Sequence, residues 1–387
     1  MTPSWQTRLI HSDAEVPAGY RSLVPPVFRG STTVFPSSTA ITDSWRQREV
    51  GWTYGLYGTP TTLELASRIA ELEGGFRSFI TPGGQSALAL IDLAFTQAGD
   101  HVLIPDSVYS PHRQLADGLL RRFGVEAEYY DPSIGAGIEP MLRERTRLVW
   151  CESPGSITME VQDVPAIAEA THRRGAKVAM DNTYSAGVYF DAFGHGVDIA
   201  TQALTKYVGG HSDLLLGSVT VRERADYERL GGAMQMLGMS VSPDECSLAL
   251  RGMQTLAVRL EALERSTLEV ARWLSERAEI VRVLHPALPS CPGHELWRRD
   301  FTGSTSVFSV ELRPEYRRSR VRAFVDALEL FEVGWSWGGV TSLAVPVNPR
   351  RTVAGRRSGA LVRFNVGLER TADLIADLER GLGELGG

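Results

Sequence analysis

Between Phe76 and Val221 short apolar runs alternate with helical patterns, and this alternation constrains the fold more than any other feature of the chain. Phe76–Thr81, His101–Pro105, Val125–Tyr130, Arg147–Cys151, Lys177–Met180, Ile199–Ala203 and Leu215–Val221 read as strands. Ser86–Thr96, Tyr109–Phe123 and Val164–Arg174 read as helices, the last with Asp163 as N-cap and Gly175 at its end. Parallel neighbours need a crossover connection, so this rhythm predicts an α/β fold: a mostly parallel sheet with helices on both faces.

The rhythm also divides the chain. Residues 1–60 are rich in Pro, Gly, Ser and Thr, lack periodicity and read as an extended N-terminal arm. Order begins after Pro60, where Thr61 and Glu64 have capping-box spacing, Leu65, Ile69 and Leu72 recur at helical spacing, and Gly74-Gly75 ends the run. A large α/β domain over 61–242 follows. From about Pro243 the pattern changes: Leu248–Arg277 reads as one long helix broken near Gly252. Strands near Ile280–Leu284, Ser306–Leu312, Phe331–Trp335 and Leu361–Val366 and helices at 316–329 and 371–382 follow it. Residues 243–387 therefore read as a smaller C-terminal α+β domain.

Composition excludes several classes of function. The 387 residues are 43% hydrophobic and 22% charged, enough for a large core and unlike a disordered chain, a coiled coil or collagen. Lys and Arg number 40 against 46 Asp and Glu, a net charge of −6, and no long basic block accompanies it. The Arg pairs at 121–122, 173–174, 317–318, 350–351 and 356–357 are isolated and read as solvated faces, so no nucleic-acid partner is expected. No apolar run approaches the ~18–20 residues of a membrane span. Met1–Asp13 lacks the cationic head and apolar run of a signal peptide. Cys151, Cys246 and Cys291 are distant from one another and odd in number, which fits reduced thiols in the cytoplasm and neither a disulfide frame nor a metal site.

In an open α/β sheet ligands bind beyond the carboxyl ends of the strands. Pro82-Gly83-Gly84-Gln85-Ser86 follows one strand and opens a helix, which makes either a phosphate cradle or a plain turn. Asp181 follows another strand, where an acid is often a helix N-cap. Lys206 follows a third, where a lone lysine is often a solvated turn residue. The set is more informative than its members. Cradle, acid and lysine together suit pyridoxal phosphate: the cradle for its phosphate, Asp181 to keep the pyridine nitrogen protonated, and Lys206 for a Schiff base.

These residues resemble the Cys/Met-metabolism family of fold-type I pyridoxal-phosphate enzymes, and within it the bacterial cystathionine β-lyases. The resemblance runs from about residue 50 to the C-terminus. It is carried by ESPGSITMEVQDVP (Glu152–Pro165), MDNT (Met180–Thr183), TKYVGGHSD (Thr205–Asp213), HPALP (His285–Pro289), GHELWRRDFTG (Gly293–Gly303), SWGG (Ser336–Gly339) and Arg363 with Gly367-Leu368-Glu369. It implies a fold-type I architecture, a small sulfur-containing amino acid as substrate, β-elimination at its carbon–sulfur bond, and a homotetramer of dimers with shared active sites. Lys206 matches the Schiff-base lysine that also moves the Cα proton, and Asp181 the partner of the pyridine nitrogen. Gly84 and Gln85 match backbone phosphate donors, and Thr205 a hydroxyl one. Tyr109 matches the aromatic stacked on the cofactor and a candidate proton-transfer group, and Tyr54 a tyrosine reaching the neighbouring subunit's site. Arg363 matches the clamp on the substrate α-carboxylate, flanked by Ser336 and Trp337. The family commonly has Tyr-x-Arg here, the arginine on the phosphate, but this chain has Leu56 at that place. Tyr57 replaces a further arginine suited to the distal end of the substrate, and Ala203 stands where many relatives have serine. Arg46 or Arg48 of the arm is the alternative source of the missing charge.

Overall fold

The computed structural model of the chain describes residues 4–10, 19, 22–353 and 359–386. Residues 1–3 and 11–13 of the N-terminal stretch, and the pair Arg356-Arg357, lie outside the described residues.

Seven strands form the larger sheet: β1 Arg77–Thr81, β2 His101–Pro105, β3 Glu126–Tyr130, β4 Thr146–Glu152, β5 Lys177–Asp181, β6 Ile199–Gln202 and β7 Gly217–Val221. Their spatial order is β1-β7-β6-β5-β4-β2-β3. The pairs from β3 through β6 are parallel, whereas β7 runs antiparallel to both β1 and β6. Strands covered on both faces carry continuous apolar runs, and every residue of His101–Pro105 and of Gly217–Val221 is buried. On one face the helix Gly84–Phe95 brings Ala87, Leu90, Ile91 and Phe95 into a cluster with Val102, Leu148 and Trp150. On the other, Val164–Arg173 packs Val164, Ile167 and Ala168 with Val149, Val178 and Met180, and its N-cap Asp163 accepts the Ala166 N–H. Strand order reverses between β2 and β4, so the carboxyl ends of the central strands open a crevice at the switch point.

Five further strands form the second sheet, ordered β10-β11-β12-β9-β8: β8 Ile280–Leu284, β9 Val307–Leu312, β10 Glu332–Val333, β11 Leu343–Val347 and β12 Leu361–Asn365. Its pairs are antiparallel except the short β10–β11 ladder. Phe308 and Phe364 of this sheet meet Phe324, Leu374 and Leu378 from the helices Arg318–Asp326 and Thr371–Leu382 in a separate core.

Several expectations need correction. The helix near Pro60 spans Pro60–Glu73 with Thr59 as N-cap. The Thr61 hydroxyl is no cap; it accepts the Phe28 N–H at 2.9 Å and donates to Pro26 O at 3.2 Å, tying down the preceding segment. That segment is not wholly extended, since Trp5–Ile10 and Gln47–Val50 are short helices. The long helix is broken, as expected near Gly252, into Pro243–Gln254 and Leu256–Ser275, with the division at Thr255 and the start five residues earlier than expected. Gly252 serves close packing: a Cβ there would lie 2.2 Å from Val208 O. Arg259 spans the break, donating to Gly252 O and Tyr207 O, both at 2.7 Å. Tyr109–Phe123 starts at Ser110 and contains a π-helical turn over Ala116–Leu120. Phe331–Trp335 contributes only the two residues of β10. Arg351 is no solvated residue: its side chain is 9% exposed and pairs with Glu160. The three cysteines are free and buried, and among the described residues no helix is long and apolar enough to cross a membrane.

Candidate active site

The crevice contains a cavity of about 370 Å³ whose walls come from both sheets. Its floor is the turn Pro82–Ser86 between β1 and the helix Gly84–Phe95. This turn approaches the next strand closely. A Cβ on Gly84 would stand 2.7 Å from the Ala203 Cβ, and a Cβ on Gly217 would meet Gly83 O at 2.4 Å. The first N–H groups of the helix therefore face the cavity without intrahelical partners, as at other anion sites. Beside them Gln85 donates from Nε2 to Pro111 O at 3.0 Å, while its buried Oε1 has no partner within the described structure.

Asp181 closes β5 and borders the cavity. Its Oδ1 accepts the Thr183 N–H at 3.0 Å. Burial raises its carboxyl above the usual range, opposed by the Thr183 bonds, His112 and Lys206. Lys206 lies four residues after β6, and its Nζ donates to Ser336 Oγ at 2.6 Å and sits 5.4 Å from the centre of the Trp337 ring. Burial first, and the Arg363 charge second, lower this amine to about 8, with Asp181 pulling it back up. A lysine at that value is about one-tenth neutral at pH 7, far more than an ordinary lysine, which favours action as a nucleophile or base.

Arg363 projects from β12 of the second sheet into the same cavity. One guanidinium nitrogen, Nη2, donates to Ser336 O at 3.1 Å, and burial lowers its pKa to about 10. Ser336 thus holds both cations, through its hydroxyl and its carbonyl. It does so at φ +79°, a conformation that ordinary residues rarely adopt. Gly338 follows at φ +82°, where a Cβ would come within 3.1 Å of the Lys206 backbone. Tyr109 lies at the mouth, 42% exposed, before the helix Ser110–Leu115. Burial, Asp181 and Glu152 raise its phenol, opposed by Arg363.

Gly84, Gln85, Tyr109, Asp181, Thr205, Lys206, Trp337 and Arg363 therefore meet at one cavity, with Ser336 bonded to two of them. The Thr205 hydroxyl donates to Leu216 O at 3.1 Å and accepts the Leu216 N–H at 3.2 Å. Tyr54 and Tyr57 are not brought into this chain's own cavity. The Tyr57 hydroxyl donates to Asp43 Oδ1 at 2.5 Å and accepts from Gln235 Nε2 at 2.9 Å. The lining residues that escaped the sequence reading as site residues include two groups. One is Glu152, a residue past the expected strand end, whose Oε2 accepts the Tyr109 N–H at 2.7 Å. The other is the loop Pro154–Met159, in which Ile157 and Met159 take positive φ, a conformation without a signal in residue type.

The family model for Cys/Met metabolism PLP-dependent enzymes matches residues 6–383. The chain belongs to this family. It is 41% identical over 366 residues to the cystathionine β-lyase MetC of Escherichia coli, covering 92% of each chain. It is 37% identical over 384 residues to the cystathionine β-lyase of Haemophilus influenzae, covering 97% of each. Among solved structures, cystathionine γ-synthase from Xanthomonas oryzae pv. oryzae in complex with cystathionine superposes with a TM-score of 0.91 at 28% identity, over 100% of this chain and 99% of that one. The fold is that of a PLP-dependent enzyme of this family, and its cofactor is pyridoxal phosphate. The cavity fits that molecule on its own chemistry: a glycine-walled helix N-terminus for a phosphate, a buried acid for a pyridine nitrogen and a desolvated amine for an aldehyde.

Proposed function

We propose that this protein is a carbon–sulfur lyase that cleaves cystathionine by β-elimination to homocysteine, pyruvate and ammonia. The observation that carries the reading is the pairing of a desolvated amine, Lys206, with a buried guanidinium, Arg363, in one cavity. An α-amino acid needs this pair: a base for its Cα proton and a clamp for its carboxylate. Relatives named cystathionine β-lyase support the choice of substrate.

In this reading Gly84, Gln85 and Thr205 hold the cofactor phosphate, Asp181 its ring nitrogen, and Lys206 its aldehyde carbon. When bound, the cofactor supplies a sink for the electron pair left at Cα. Arg363 grips the substrate α-carboxylate, with Ser336 and Trp337 beside it; the N–H groups not given to Ser336 O remain for that fork. Released when the substrate's own amine takes its place on the aldehyde carbon, the Lys206 amine removes the Cα proton. Lys206 or Tyr109 then delivers a proton to the departing sulfur. The three-carbon remnant hydrolyses in water to pyruvate and ammonia. The enzyme works in the cytoplasm as a dimer of dimers, with Tyr54 and Tyr57 of one subunit entering the neighbour's cavity.

Product identification with cystathionine tests the proposal. Pyruvate with homocysteine is the expected outcome. 2-Oxobutyrate with cysteine would mean γ-elimination, and turnover of cysteine or cystine alone would mean a desulfhydrase. A visible absorbance band without any product would mean a cofactor-binding protein that has lost turnover.

A further inference from the structure

Glu152 ends β4, and its partner across the parallel ladder is Asp181 at the end of β5. The side chain is buried and borders the cavity. Its Oε2 accepts the backbone N–H of Tyr109 at 2.7 Å. Its own N–H donates to Gln162 Oε1 at 2.7 Å. Gln162 Nε2 in turn donates to the Tyr130 hydroxyl at 2.9 Å, and that hydroxyl donates to Trp150 O at 2.5 Å. The Glu152 backbone is thus tied to a buried polar chain, while its carboxyl reaches forward to the Tyr109 N–H. Tyr109 sits outside helical geometry, at φ −47° and ψ 126°, just before the helix Ser110–Leu115, so its N–H has no place in that helix's own ladder.

We propose that Glu152 is a positioning residue: by accepting the Tyr109 N–H it fixes the backbone from which the Tyr109 ring reaches the reacting atoms. The proposal rests on the reading above, in which Tyr109 meets cofactor and substrate. In this proposal Glu152 acts through Tyr109. Burial, and next the Asp181 carboxylate, push the Glu152 carboxyl well above the usual carboxylate range, against the N–H groups of Tyr109 and Ser156 and the charge of Arg351. Glutamine presents the same oxygen without charge, whereas a hydrocarbon strands a buried N–H.

The experiment uses holoenzyme variants. Glu152→Leu should lower kcat for pyruvate formation by about tenfold or more, with a smaller change in KM, because a displaced ring misaligns the proton-transfer geometry. It should also alter the visible circular dichroism of the bound cofactor. Glu152→Gln should restore kcat to within about threefold of wild type, since the acceptor is kept. Introduced into Tyr109→Ala, Glu152→Leu should cost less than about twofold more, because its effect runs through the missing ring. Glu152→Met carries the same expectations if leucine prevents folding. An equal loss in the two Tyr109 backgrounds, or unchanged dichroism in the leucine and methionine variants, overturns the proposal. A wild-type protein with no visible cofactor band would instead overturn the reading of the site, so the two failures are separable.

Discussion

Lys206 and Ser336 are 130 residues apart, and Lys206 Nζ donates to Ser336 Oγ at 2.6 Å. This bond joins the larger sheet's lysine to the loop that also carries Arg363 on its carbonyl. One serine therefore ties the Lys206 amine and the Arg363 guanidinium to the same loop.

Ser336→Ala should separate these contributions. The backbone carbonyl stays, so Arg363 keeps its contact, but the amine loses an oriented partner worth roughly 1.5–3 kcal/mol if charged. The expected result is a kcat/KM for pyruvate formation lower by about tenfold or more, with the cofactor retained. Ser336→Gly suits φ +79° better than alanine does and should fold at least as stably. Wild-type kinetics in both variants would show that the Lys206 contact has no bearing on the reaction.

The titration of Lys206 predicts how the apoprotein takes up its cofactor. The amine bonds to an aldehyde only when neutral, and burial with Arg363 lowers it to about 8 from 10.5. It is a cation below that value and neutral above it. The rate at which apoprotein captures pyridoxal phosphate, followed by visible absorbance, should rise as pH increases and level off above about 8. A rate still climbing steeply towards the ordinary lysine value would mean that the amine is solvated. Lys206→Ala should lose the band on dialysis and form no pyruvate while keeping its fold.

Much of this site is readable from residue order, and the reason is topological. The carboxyl ends of like-directed strands share one edge of the sheet, so Gly84 just past β1, Asp181 at the end of β5 and Lys206 just past β6 are brought together there. The strands themselves are legible because buried parallel strands carry unbroken apolar runs, as in His101–Pro105. β11 is not legible, since Pro346 interrupts its pattern, although Pro346 pairs with Val362 in the ladder. The helix Arg224–Leu237 hides behind Gly231 and Gly232, residues that weaken a helical reading. At Gly231 the cause is tertiary: the Trp45 ring lies where a Cβ would be, its nearest atom at 2.3 Å. Arg363 is recognisable only by family likeness, because nothing local to β12 marks it for a cavity built largely from the other sheet. The role proposed for Glu152 runs through Tyr109, a partner 43 residues away.

Glu73, at the end of the helix Pro60–Glu73, gives the fold a pH dependence. Its buried carboxyl accepts from Gln202 Nε2 at 2.9 Å and from the Thr220 hydroxyl. Burial raises it from 4.5 to about 7, with Asp181 adding to the rise and both hydrogen bonds opposing it. A folded value above the unfolded one means that the native state binds this proton more tightly. The resulting stability is complete below about 4.5 and is lost as pH rises through about 7. Glu73→Gln does not titrate, and the Thr220 hydroxyl, which also contacts Ser78 at 2.7 Å, can turn to accept. Between pH 5 and 9 wild type should lose about 2–3 kcal/mol relative to the variant, measured by denaturant unfolding. A constant difference across that range would assign the carboxyl an ordinary titration.

The last prediction concerns Leu56, where the family commonly places an arginine. Leu56 lies in the 3-10 turn Gly55–Tyr57, and the two arm arginines nearest it in sequence, Arg46 and Arg48, both have partners within this chain. Arg46 Nε donates to Glu228 at 2.7 Å, and its guanidinium lies 5.1 Å from the centre of the Trp45 ring. Arg48 Nη2 donates to Leu63 O at 2.5 Å and to Ser67 Oγ at 2.6 Å. Tyr57 spends its hydroxyl on Asp43 and Gln235. If this segment enters the neighbouring subunit's cavity as proposed, the cofactor phosphate rests on helix N–H groups and Thr205 without a cation from Arg46 or Arg48. Leu56→Arg should then add a charge-assisted contact and slow the loss of cofactor during dialysis. The gain should be largest at low ionic strength and should shrink towards physiological salt, where the screening length falls to about 8 Å. Unchanged or faster loss in Leu56→Arg would mean that the phosphate already has its counter-charge or that Leu56 does not face it.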